Sequence, residues 1–159
     1  RIKMESTLLI LAGASAAAVL GGAFYAFSSF IMTALGKLQP AEGIRAMQRI
    51  NIDVFHISFM GLFFGLPLLT IALALFGWWN FTPIASGYLV AAALSMGVGC
   101  FLVTAAGNVP LNEALARADA ESTVGEILWQ HYLRRWVFFN HVRTAMCIAT
   151  ALLLLLAIL

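Results

Sequence analysis

Charge is what this chain has least of. Of its 159 residues nine are Lys or Arg and seven are Asp or Glu, 10% in all, against about 25% in soluble domains. A net charge of +2 is too small and too dispersed to build the basic face on which a nucleic-acid binder depends, so no nucleic-acid partner is expected. There are only two cysteines, Cys100 and Cys147, each inside an apolar run. They support neither a disulfide framework nor a Cys-based zinc site and read as small core residues. No GxSxG elbow, P-loop or GxGxxG is present, which removes the common hydrolase, nucleotide and dinucleotide signatures. One set of four short spans also lacks the inverted repeat and paired broken helices of a secondary transporter.

What the chain has instead is apolar residues, 62% of the total, with a mean hydropathy of +0.95. A membrane-crossing helix needs about 20 mainly apolar residues, and four stretches qualify, at about 8–35, 54–77, 84–107 and 137–159. The expected fold is therefore all-α, a single integral membrane domain made of a four-helix bundle. The first stretch is too long for a cleavable signal and lacks an ordinary n-region. Arg1, Ile2 and Lys3 read as a cloning remnant ahead of a native Met4, and the Leu run at the other end suggests a natural chain continuing slightly further. Lys37, Arg45, Arg49, Arg117, Arg134 and Arg135 fall on the two longer connections. The positive-inside rule then makes those connections cytoplasmic and both termini external, as in a bacterial inner membrane. Trp78 and Trp79 would anchor the opposite interface.

The longer connections carry helix signals. Pro40 suits a first helical position and Glu42 a first turn, so the second helix is predicted to start near Pro40 and run unbroken into the membrane. Pro110 can open a further helical piece. Thr123 with Glu126 matches a capping box, which predicts a fourth helix from about Thr123 to the end. Helices of this length overshoot the bilayer by several turns, extending the bundle on its cytoplasmic side. Gly13, Ala17 and Gly21, and Gly61 with Gly65, give small-residue faces for close helix packing or for a homo-oligomer contact.

Polar residues gather at one level, near the cytoplasmic ends of the spans: Asn51, Asp53, His56, Ser58, Asn108, Asn112, Asn140, His141 and Arg143. At 100° per residue Gln48, Asn51, Phe55 and Ser58 share one face, and Trp129, Tyr132, Trp136, Asn140 and Arg143 another. An arginine as deep as Arg143 costs several kcal/mol unless paired, hydrated or able to snorkel; a substrate anion and the Asp53 carboxylate are both candidate partners. Phe24, Tyr25, Phe27 and Phe30 supply enough rings either to line an aromatic pocket or to fill a core. His56 and His141, the histidines within the spans, are conceivable haem or metal ligands. Each, however, lies about 140° from the polar stripes, and no acidic residue or HxxxH spacing completes a metal set.

Three passages carry a family likeness: Gly22-Ala23-Phe24-Tyr25-Ala26-Phe27-Ser28 leading to Gly43 through Asn51; Asn108-Val109-Pro110-Leu111-Asn112; and Trp129 to Trp136 followed by Asn140-His141-Val142-Arg143-Thr144. In order and spacing they resemble the anthrone-oxygenase-like family of small four-helix membrane proteins, with Thr33 standing where that pattern has proline. The resemblance implies oxidation of an anthrone or related phenol without metal or flavin, with a small apolar aromatic substrate as partner inside the lipid bilayer. It carries to Asn51, Asn108, Asn112, Trp136, Asn140, His141 and Arg143. The expected mechanism stacks substrate on Trp136 and the Phe24, Tyr25 and Phe27 rings. A proton passes to His141 or His56, and Asn and Arg donors, with Asn140 and Arg143 foremost, hold the enolate while it reacts with oxygen. The competing readings are a non-enzymatic quinone- or lipid-binding bundle or complex subunit, and a haem-binding electron carrier through His56 and His141.

Overall fold

The computed structural model describes residues 4–159; the reading of Arg1, Ile2 and Lys3 as a cloning remnant lies outside the described residues. Helix α1 (Met4–Leu35), α3 (Ile57–Asn80), α4 (Pro83–Ala116) and α5 (Thr123–Leu156) are each long and apolar enough to cross a membrane. They make an all-helical integral membrane bundle. Helix α2 (Pro40–Asp53) is short and one-sided. It buries Gly43, Ile44 and Met47 and turns Arg45, Arg49 and Asp53 outward.

The bundle is organised around α5, which packs most extensively on α1 and also meets α2, α3's neighbour α4 and both of α4's widened segments. Small residues allow this approach: an added Cβ at Gly13 would meet Leu69 and Leu154, and one at Gly21 would lie 3.0 Å from the Cys147 Cβ. The α1 stripe is thus used within the molecule. Gly61 and Gly65 have open space where a Cβ would go, so this second stripe makes no close helix contact inside the chain.

Two sequence expectations are corrected here. The second helix does not run unbroken from Pro40: the chain leaves helical geometry at His56 (φ −77°, ψ 141°), whose Nδ1 caps α3 by accepting from the Ser58 N–H. The break falls where an amphipathic pattern gives way to one apolar all round, two kinds of helix that seek different surroundings. Gln48, Asn51, Phe55 and Ser58 therefore do not form one continuous face. The cap of α5 is Ser122 rather than Thr123; its Oγ accepts from Gly125 N–H at 2.9 Å.

Helix α2 closes the end of the bundle. Its inner face joins Met32, Leu115, Trp129, Tyr132 and Trp136 in one apolar cluster. Gln48 Nε2 donates to the carbonyls of Leu115 at 2.8 Å and Ala118 at 3.1 Å, satisfying the open end of α4. An Arg45–Glu121 ion pair ties α2 to the α4–α5 connection. Gly43 is required for this seat, since a Cβ there would lie 2.8 Å from Trp129 Cζ2.

Candidate functional site

Just beneath α2 the helices part around a cavity of about 210 Å³. Helix α1 contributes Ala23, Phe24 and Phe27, α2 contributes Met47, Ile50 and Asn51, and α3 contributes Phe59 and Phe63. Thr104 and Asn112 come from α4, Trp136 and Arg143 from α5. Its rim is the α2–α3 break, where the lining residues Phe55 and Phe64 are exposed and Met60 is half-buried. The backbone changes at this level as well. π-helical turns occupy Phe27–Ile31 in α1 and Ser95–Leu102 and Thr104–Asn108 in α4. Such widened turns shift side-chain register and recur at functional sites.

Arg143 stands at the cavity wall with 5% of its surface exposed. One terminal nitrogen donates to Asn140 Oδ1 at 2.6 Å and the other to Thr104 Oγ1 at 3.4 Å. Its Nε is buried without a partner. The guanidinium carbon lies 4.2 Å from the Phe24 ring centroid and 5.2 Å from that of Trp136, so ring faces supply part of the compensation that an anion would give. Among the described residues no carboxylate reaches it. Asp53, the sequence-level alternative, instead accepts from Arg49 Nε at 2.8 Å; that hydrogen bond, reinforced by the carboxylate charge, raises the Arg49 guanidinium above its ordinary value.

Asn140 is fully buried but does not line the cavity. Its Nδ2 donates to the Phe24 carbonyl and to Ser28 Oγ, both at 2.7 Å, and its Oδ1 holds Arg143. An amide with both hydrogens committed has no donor left for a substrate. It ties the widened turn of α1 to the guanidinium.

Asn112 does reach the cavity. Its Oδ1 accepts from Tyr132 Oη at 2.7 Å and Trp136 Nε1 at 2.8 Å, which leaves its amide hydrogens without a protein partner among the described residues. Asn51 Nδ2 donates to Tyr132 Oη at 3.5 Å. Trp129, Tyr132 and Trp136 form a stacked ladder, each pair of planes 18° apart. Asn108 is buried behind this wall; its Nδ2 donates to the Trp136 carbonyl at 3.2 Å and its Oδ1 has no partner.

The geometry thus gathers Arg143, Asn51, Asn112, Trp136, Phe24 and Phe27 from the sequence-level candidates. It does not gather the rest. Tyr25 is exposed on the outside of α1, and His141 is exposed on α5. His56 is exposed at the break. Its Nδ1 lies 2.8 Å from Ser58 Oγ and 3.4 Å from the Ser58 N–H, so the ring is held at the start of α3 and does not line the cavity. Sequence reasoning did not single out Phe59, Phe63 or Thr104. For Thr104 a signal exists, a lone hydroxyl one turn before Asn108; Phe59 and Phe63 lie in a run that is apolar all round and carries none.

The family model of the anthrone oxygenases matches residues 55–153. No curated protein and no solved structure matches the chain. The chain belongs to the anthrone oxygenase family and is an oxygenase-like integral membrane protein. The family is cofactor-independent, and among the described residues no group of three His, Cys, Asp or Glu side chains converges to hold a metal ion.

Proposed function

We propose that this family member takes a planar anthrone- or phenol-type substrate from the bilayer through the α2–α3 rim. It holds the substrate oxygen as an oxyanion on Arg143 and lets the resulting enolate react with dioxygen. The observation that carries this reading is a buried guanidinium, with no carboxylate partner among the described residues, at the wall of an apolar cavity. A cation in that position favours whichever ligand form is negative, and its low-dielectric surroundings strengthen the effect.

The chemistry balances without a prosthetic group. Loss of the proton from the methylene carbon opposite the carbonyl leaves an electron-rich enolate whose charge rests on oxygen. Two electrons from that enolate reduce dioxygen as a C–O bond forms, giving a hydroperoxide at the former methylene. The second C–H proton and the terminal hydroxyl then leave as water, so one oxygen atom ends in the new carbonyl and the other in water. Phe24, Phe27 and Trp136 stack the ring system, and Asn112 offers an amide donor beside them. The proton leaves to solvent at the rim, since neither histidine lines the cavity. We place the two longer connections in the cytoplasm, and assign any self-association to the outward Gly61–Gly65 face.

Oxygen uptake by the purified protein in lipid nanodiscs, with anthrone as substrate, tests this reading. Consumption of anthrone and oxygen in equal amounts, well above empty nanodiscs, is expected. Saturable binding of anthrone with no added oxygen uptake would transfer the site to a non-enzymatic binding protein.

A further inference from the structure

The two cysteines that sit in separate apolar runs are brought together by the fold. Cys147 on α5 and Cys100 in the Ser95–Leu102 turn of α4 are fully buried thiols whose sulfurs lie 3.6 Å apart. They form one of two successive rungs between these helices. The other is Thr104 with Arg143, one helical turn away on each side, because Cys100 precedes Thr104 and Arg143 precedes Cys147 by four residues. Thr104 couples the rungs, donating to the Cys100 carbonyl at 2.8 Å. Phe24 and Phe63, which line the cavity, belong to the same apolar cluster as both cysteines. The pair therefore stands directly behind the cavity wall.

We propose that Cys100 and Cys147 are a redox-active dithiol that consumes an apolar organic hydroperoxide delivered through the cavity and closes to an interhelix disulfide. Cys100 reacts first, because the Cys147 thiol donates its hydrogen to the Cys100 sulfur, which makes Cys100 the nucleophile of the pair and Cys147 its resolving partner. The Cys100 sulfur attacks the terminal peroxide oxygen; the S–O bond forms, the O–O bond breaks, and the alkoxide leaves with the thiol proton as an alcohol. Cys147 sulfur then attacks the Cys100 sulfenic acid, forming the S–S bond and releasing water. Two thiols are oxidised by two electrons and one peroxide is reduced to one alcohol and one water. Reaching disulfide bonding distance requires the sulfurs to approach by about 1.5 Å from their 3.6 Å separation. No second helix pair has to move, since α4 and α5 are already in contact.

The proposal does not depend on an anthrone-type substrate, because the peroxide can be added. The fully reduced protein in nanodiscs is treated with one equivalent of cumene hydroperoxide and followed by intact mass. A loss of about 2 Da from the two thiol hydrogens is expected, with a Cys100–Cys147 crosslinked peptide on digestion and recovery of the original mass with a phosphine reductant. Hydrogen peroxide at the same concentration should act at least about tenfold more slowly, since the apolar cavity wall admits the organic peroxide preferentially. Cys147→Ala should stop at a trapped sulfenic acid on Cys100, and Cys100→Ala should leave the remaining thiol unreacted. Unchanged mass in the wild type overturns the proposal. So does oxidation of both residues to sulfinic acids without a crosslink, or an equal rate with hydrogen peroxide.

Discussion

Replacing Arg143 by methionine removes the guanidinium while nearly keeping its volume, and the structure separates what this does to stability from what it does to turnover. The folded protein carries a desolvated charge with no counter-ion among the described residues, so deleting it relieves a burial cost. Against this, Asn140 Oδ1 loses the donor it holds at 2.6 Å, a penalty of about 1–3 kcal/mol for a buried acceptor. Thr104 loses less, because its hydroxyl also donates to the Cys100 carbonyl. The two effects oppose each other, and Tm in detergent should move only slightly. Turnover has no such compensation. Loss of one preorganised donor to an oxyanion costs about 2.7–4 kcal/mol, or about 100- to 1,000-fold in kcat. Arg143→Lys should recover little, since a compact ammonium cannot hold Asn140, Thr104 and a substrate oxygen at once as the planar fork does. Steady-state oxygen uptake with anthrone, alongside a thermal melt, reads both quantities. A methionine variant that keeps wild-type kcat, or one that loses activity only in proportion to a large fall in Tm, would refute the reasoning.

Asn140→Leu should lower both observables, with kcat falling about 100-fold as Arg143 is displaced and Tm falling as three buried bonds are lost; unchanged kcat would remove its positioning role. His141→Phe and His56→Asn, the latter keeping a helix cap, should alter turnover by no more than about twofold, and a large selective loss in either would restore that imidazole as the base. Gly43→Ala should lower stability by about 1–3 kcal/mol through overpacking against Trp129, seen as a reduced Tm. A topology reporter fused after Leu159 should be active only in its external form and one near Ala120 only in its cytoplasmic form; the reverse pattern overturns the orientation.

The spans were legible because run length alone decides them, and so was the inward stripe of α5, where Trp129, Tyr132, Trp136, Asn140 and Arg143 are all buried against an otherwise mixed helix. The inward face of α3 was not. That helix is apolar all round, so nothing in its pattern distinguishes Phe59 and Phe63, which line the cavity, from Leu68 or Leu75, which are exposed. The widened turns at Phe27–Ile31 and Thr104–Asn108 likewise have no residue signature. They follow from how α1 and α4 fit α5, a tertiary property. The α2–α3 break leaves only a faint mark, a histidine and a serine ahead of an apolar run. Residue type misled at two points: Asn140 is polar and deep but spends its amide on Phe24 and Ser28, and His141 shares its depth while pointing away from the cavity wall. Depth and chemistry were readable; direction around the axis decided use.

If Arg143 stabilises an oxyanion inside the apolar cavity, a chromophoric ligand reports it directly. A hydroxyanthraquinone whose phenol and phenolate absorb at different wavelengths is bound to the protein in nanodiscs and titrated against pH. The same titration on Arg143→Met cancels the shared effect of burial. The apparent ionisation of the bound phenol should lie about one to three pH units lower in the wild type than in the variant. Identical titrations in the two proteins, with the ligand bound in both, would contradict the central claim.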